Sequence, residues 1–121
     1  ISFAGIVPSK LIYSQIKLLI HTYSYESFGR IFIEAAASGV PVLAIKGGGA
    51  SEIVTKKIGF LFCENELEKM ADTLHNLINC ESERLIISKS ARIEAKKYLA
   101  TNAYKNLIPF YNRVLHKNNL Y

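Results

Sequence analysis

At 121 residues the chain is long enough for one domain with a real core and too short for two. Half of the residues are hydrophobic and 21% are charged, a globular balance that excludes a disordered chain. Lys17, Glu34 and Lys46 interrupt the longest apolar stretches, so none reaches the roughly 18 uncharged residues of a membrane span.

In chain order the pattern alternates strands with helices. Residues 1–7 read as a strand, and Pro8 with Ser9 starts a short helix to about Lys17. Residues 18–22 form the next strand, whose Leu-Leu-Ile run is the kind expected in a parallel sheet covered on both faces. Residues 23–28 are the loop at that strand's carboxyl end, where open α/β sheets bind their ligands. The helix that follows, 29–38, stops at Gly39, a residue suited to the left-handed position after a helix, and Pro41 prevents its continuation. Residues 42–45 are a third strand, Gly47-Gly48-Gly49 a turn, 50–55 a short helix and 59–62 a fourth strand. Then the strands stop. Asn65 and Glu68 have capping-box spacing, with Leu67, Met70, Ala71, Leu74, Leu77 and Ile78 as the apolar stripe of a helix packed on the sheet. Two more helices, about 81–99 and 102–116, complete the chain, with a kink expected at Pro109. The expected fold class is α/β: a partial Rossmann-like parallel sheet with flanking helices, ending in three helices.

The most informative stretch is Glu26-Ser27-Phe28-Gly29-Arg30-Ile31-Phe32-Ile33-Glu34. Glu26 falls in the polar loop, Phe28 and Gly29 open the helix, and Glu34 lies inside it, roughly 7.5 Å of rise beyond Gly29. One ligand can therefore touch all three parts. A helix N-terminus offers unpaired N–H groups and a positive dipole end, and Gly29 has no side chain to keep a diphosphate away from them. A carboxylate can accept both hydrogens of a ribose diol, which suits Glu34, while Glu26 suits sugar hydroxyls at the other end.

These residues resemble the retaining glycosyltransferases of the GT-B fold, specifically glycosyltransferase family 4, whose signature is this pair of glutamates with seven residues between. The rest of the family fingerprint also occurs in order: Glu26-Ser27-Phe28-Gly29, Glu34-Ala35-Ala36-Ala37-Ser38-Gly39-Val40-Pro41-Val42, Gly48-Gly49, Glu52-Ile53-Val54 and Gly59-Phe60-Leu61. Ser27 departs from the common glycine and Arg30 from the usual aliphatic residue, yet both carboxylates and the key glycine remain.

The resemblance implies transfer of a sugar from a nucleotide-diphosphate-sugar to an acceptor hydroxyl with retention of configuration and without a metal. Glu26 would be the catalytic residue and contact the sugar, Phe28, Gly29 and the backbone of Arg30 would line the sugar-phosphate region, and Glu34 would bind the ribose. Arg30 adds a phosphate contact if it turns toward the ligand; otherwise it is a solvated side chain of the first helical turn. Gly48 and Gly49 have two open readings, a backbone approach to the donor or a purely structural turn.

The resemblance also implies that residues 1–121 are one incomplete nucleotide-sugar-binding domain, the C-terminal half of a GT-B protein. The N-terminal acceptor domain would be absent, together with the strand whose glycine-arginine and lysine pair binds the diphosphate. The opening on Ile1, inside a strand pattern, fits a fragment that is inactive alone. The competing expectation is a noncatalytic remnant that binds nucleotide or serves as an interaction module.

Other features point less sharply. Gly47-Gly48-Gly49-Ala50-Ser51-Glu52 lacks the last glycine of a dinucleotide loop and the Gly-Lys-Ser/Thr of a P-loop, and Glu52 is expected at a helix end. His21 reads as a packed or hydrogen-bonded residue near the site rather than an acid or base. Cys63 and Cys80 have no second pair, and His75 and His116 have no partners at ligand spacing, so neither cofactor nor metal is expected. The thiols suit a reducing cytoplasm. The net charge of +5 is uneven, with +3 over residues 1–60, −5 over 61–83 and +7 over 84–121. Lys89, Arg92, Lys96, Lys97, Lys105, Arg113 and Lys117 form either a solvated face or a peripheral contact with anionic lipid at the inner face of a membrane, where lipid-linked acceptors reside. Nucleic acid is not an expected partner, because the tyrosines do not form a stacking strip.

Overall fold

The central strand explains the packing. In the computed structural model, which describes residues 3 and 5–117, β2 (Val42–Ile45) is buried along its whole length. Its side chains alternate between two cores. Val42 and Ala44 join Phe32, Ala35, Ile53 and Ile58 on one face, and Leu43 and Ile45 join Phe62, Met70, Leu77 and Ile87 on the other. β1 (Leu19–His21) and β3 (Gly59–Phe62) flank it, both parallel, in the order β1-β2-β3, with Leu19 opposite Val42 and Val42 opposite Gly59.

Parallel neighbours need crossovers, and helices supply them. The element order is α1 (Ser9–Tyr13), β1, α2 (Arg30–Ser38), β2, α3 (Gly48–Ile53), β3, α4 (Leu67–Asn79) and α5 (Glu81–Ala95), followed by a single 3-10 turn (Lys96–Tyr98) and α6 (Ala100–Lys117). α2 ends as expected at Gly39, whose φ of 76° lets its N–H reach the Ala36 carbonyl at 2.9 Å. α5 lies across α2, and Arg92 donates to the Ser38 carbonyl at 3.0 Å. No helix among the described residues is long and apolar enough to cross a membrane.

Several sequence expectations change. The sheet has three strands among the described residues, not four: of the first expected strand, residues 3 and 5–7 carry no strand, while Ile1, Ser2 and Ala4 lie outside the described residues. An isolated strand leaves its backbone N–H and C=O groups unpaired, and no neighbour pairs these residues. β1 lies at an edge of the sheet among the described residues; Leu19 packs against the core on one face and Leu18 against that on the other, while Ile20 is 45% exposed. α1 stops at Tyr13, whose ring is buried and whose hydroxyl donates to the Ile31 carbonyl at 3.2 Å. The capping box at Asn65 does not form. Glu66 is the residue before α4, and its carboxylate accepts the Cys63 N–H at 2.9 Å and Lys69 at 2.7 Å. Those bonds, the Cys63 N–H first, hold the Glu66 carboxyl at a pKa of about 2. The apolar stripe of α4 is also narrower than expected, with Leu67 and Ile78 exposed.

Candidate functional site

At the carboxyl ends of β1 and β2, the loop 22–29 rests directly on the glycine turn. A Cβ on Gly47 would stand 2.0 Å from the Ser24 carbonyl oxygen, one on Gly48 2.0 Å from that of Glu26, and one on Gly49 2.1 Å from that of Phe28. No side chain fits at such separations, and the Gly49 N–H donates to the Glu26 carbonyl at 2.7 Å. The glycines therefore seat the loop that carries Glu26. They also let α3 begin at Gly48, two residues earlier than the sequence pattern suggests.

The loop turns into α2 at Gly29, whose φ of 82° is left-handed. A Cβ there would meet the Phe32 ring at 2.5 Å, so Gly29 is fixed both by conformation and by contact. The Glu26 carboxylate stands at this helix mouth, one oxygen 3.3 Å from the Gly29 N–H and the other 3.6 Å from Nε2 of His21. The charge is favoured there by the helix dipole. Ser24 adds a tether, its hydroxyl donating to Glu64 at 2.7 Å.

One turn further, Glu34 is partly exposed and lies 3.4 Å from the guanidinium of Arg30. Such an exposed i,i+4 pair is worth only about 0.3–0.5 kcal/mol, so either partner can exchange it for a better one. Phe28, Arg30, Ile33 and Glu34 form one wall of an open cleft of about 600 Å³, and Lys97, Tyr98 and Ala103 form the other. Lys97 is held by a hydrogen bond to Glu94, which is 6% exposed and also 3.3 Å from Lys57. The bond from Lys97 is the main cause that keeps the Glu94 carboxyl below its usual pKa.

The structure thus brings Phe28, Gly29, Arg30 and Glu34 to one helix mouth and its cleft, with Glu26 at the same mouth and Gly48 and Gly49 behind the loop. Glu52 is exposed on α3 and does not line the cleft. The far wall, Lys97 and Tyr98, carries no site signal in the sequence; only the placement of the 3-10 turn beside α2 reveals it. Arg92 and Lys97 of the basic stretch have intramolecular partners, and the side chains of His116 and Lys117 lie outside the described residues. A smaller hollow of about 170 Å³, lined by Lys17, Pro41, Glu81 and Arg84 at the opposite end of the sheet, holds neither carboxylate.

A family model described as glycosyl transferases group 1 matches residues 1–94. A sulfoquinovosyl transferase of Arabidopsis thaliana is 38% identical over 77 residues, 60% of this chain and 15% of that protein. A D-inositol 3-phosphate glycosyltransferase of Corynebacterium urealyticum is 33% identical over 87 residues, 71% of this chain and 20% of that protein. A capsular polysaccharide biosynthesis glycosyltransferase of Staphylococcus aureus is 29% identical over 105 residues, 85% of this chain and 28% of that protein. The chain spans less than a third of the length of each of these relatives.

Proposed function

The chain belongs to the group 1 glycosyl transferases, and from that premise we propose that it is the donor-binding part of an enzyme that transfers a sugar from a nucleotide-diphosphate-sugar to an acceptor hydroxyl. The observation that carries this reading is the helix mouth at Gly29, with one carboxylate before it, one inside the helix, and a cleft of about 600 Å³ beside it. In this proposal the chain is the C-terminal half of a retaining, family 4 GT-B protein. A preceding domain supplies the acceptor site and the remaining cations for the diphosphate.

Each group has a part. Because the Phe32 N–H already bonds the Gly29 carbonyl and Glu26 takes the Gly29 N–H, the first-turn N–H groups of Arg30 and Ile31 face the phosphates. They stabilise negative charge as the diphosphate leaves, with Arg30 released from its weak pair to assist. Glu34 accepts the ribose diol, and the Tyr98 ring across the cleft offers the base an apolar face. Glu26 orients the sugar hydroxyls. Gly48 and Gly49 serve the donor by seating the loop rather than by touching it. Charge stabilisation rests on backbone and cations, so we assign no metal or cofactor. The acceptor is proposed to be a lipid-linked or polysaccharide precursor, with the enzyme in the cytoplasm or at the inner face of the membrane.

The test separates the glutamates in the protein extended by its upstream coding sequence. Glu26→Ala is expected to spare binding of the free nucleoside diphosphate and lower turnover of the nucleotide-sugar, whereas Glu34→Ala weakens both ligands on the order of ten- to a hundredfold. Equal losses of both ligands in the Glu26 variant contradict the division of labour. Transfer by residues 1–121 alone contradicts the need for a second domain.

A further inference from the structure

His21 ends β1, opposite Ala44 on the central strand, and its side chain is only 14% exposed. Its ring meets Phe32 edge-on, with centroids 4.9 Å apart at 80°, and Phe32 is fully buried in the first turn of α2. The ring plane is thus set by the same residue that closes off Gly29. Nε2 points to the second oxygen of Glu26 at 3.6 Å, while Nδ1 is buried and meets no hydrogen-bond partner among the described residues.

That asymmetry fixes the tautomer. A proton on Nδ1 would be a buried donor without an acceptor, whereas a proton on Nε2 faces a carboxylate. We propose that His21 is a positioning residue for Glu26, donating its Nε2–H to the oxygen that the Gly29 N–H does not hold. With both oxygens engaged, the carboxylate plane is fixed across the helix mouth, and its remaining lone pairs face the solvent where the sugar hydroxyls arrive. The 3.6 Å separation is longer than a hydrogen bond; contacts of this kind commonly tighten only when substrate is bound. Glu26 is 31% exposed, and among the described residues the other hydrogen bond to its carboxylate is the long one from the Gly29 N–H. The inference rests on the reading that Glu26 contacts the donor sugar.

Two measurements test it. On the unaltered chain, nitrogen-15 NMR of the imidazole should show the Nε2-protonated tautomer; an Nδ1-protonated ring overturns the proposal without any variant having to fold. In the extended protein, His21→Phe keeps the ring against Phe32 and removes the donor, and it should lower kcat for the nucleotide-sugar on the order of tenfold while leaving binding of the free nucleoside diphosphate unchanged. His21→Gln returns an amide N–H near the place of Nε2 and should recover most of the loss. Equal losses in the Phe and Gln variants overturn the proposal in favour of packing alone. A fully active His21→Phe beside an impaired Glu26→Ala overturns the positioning role but leaves the Glu26 reading standing. Full activity in Glu26→Ala sinks both together.

Discussion

Two of the loops that leave the carboxyl ends of strands in this sheet, those after β1 and β3, are held in different ways. The loop after β1, residues 22–29, is locked by backbone: three carbonyl oxygens lie 2.0–2.1 Å from where Cβ atoms of Gly47, Gly48 and Gly49 would be, and one of them accepts the Gly49 N–H. The loop after β3, at Cys63–Glu66, is held by an ionised side chain, with Glu66 accepting the Cys63 N–H and pairing with Lys69. Only the first carries a residue of the proposed donor site. A backbone lock has no charge to titrate, which suits a loop that must present Glu26 in one place; a carboxylate clasp depends on pH.

The largest expected effect breaks the backbone lock. Gly49→Ala places a Cβ 2.1 Å from the Phe28 carbonyl oxygen, so the loop must lift away. Overpacking of this kind costs about 1–3 kcal/mol, read by denaturant unfolding, and donor binding should fall with it. Unchanged stability and binding would mean that the loop is not seated as described.

A smaller effect sharpens the contrast. Glu66 has a folded pKa of about 2, below its ordinary value of 4.5, so its stabilising contribution is fully present above about 4.5 and is lost as the pH falls toward 2. Glu66→Gln should therefore lower Tm at neutral pH, flatten the decline of Tm between those two values, and speed hydrogen exchange at the Cys63 amide, while donor binding stays unchanged. An acid limb identical to that of the parent would remove the clasp. The smallest effect concerns the link between the loops. Ser24→Ala deletes an exposed hydrogen bond to Glu64, worth at most about 0.5–1.5 kcal/mol, and should alter stability within that range by the same unfolding measurement without moving Glu26.

The contrast also explains what the sequence could show. β2 and β3 occur at the bounds read from their apolar runs, because a short run closed by Gly and Pro is a local signal. The mouth at Gly29 is equally legible, since the requirement for glycine and the spacing to Glu34 are properties of one helix. What the sequence hides depends on partners distant along the chain. Residues 3 and 5–7 of the first expected strand pair with no neighbour among the described residues, and Lys97 and Tyr98 reach the cleft only because the end of α5 folds back on α2. The clasp at Glu66, whose partners Cys63 and Lys69 are each three residues away, is the local exception and replaces a cap that spacing assigns to Asn65. His21 reads from sequence as packed or hydrogen-bonded, and it packs on Phe32 and faces Glu26. The glycine turn has two readings in the sequence, and the contacts with loop 22–29 supply a structural reason for all three glycines.

The central claim is that a nucleoside diphosphate seats at the start of α2 and in the cleft beside it. The direct measurement is backbone amide NMR of residues 1–121 titrated with a panel of nucleoside diphosphates. Saturable shifts are expected centred on Gly29, Arg30, Ile31 and Glu34, with a second group at Lys97 and Tyr98, all moved to roughly ten- to a hundredfold higher ligand concentration in Glu34→Gln. Saturable shifts confined to the hollow around Lys17 and Arg84, or shifts that survive Glu34→Gln unchanged, would contradict it.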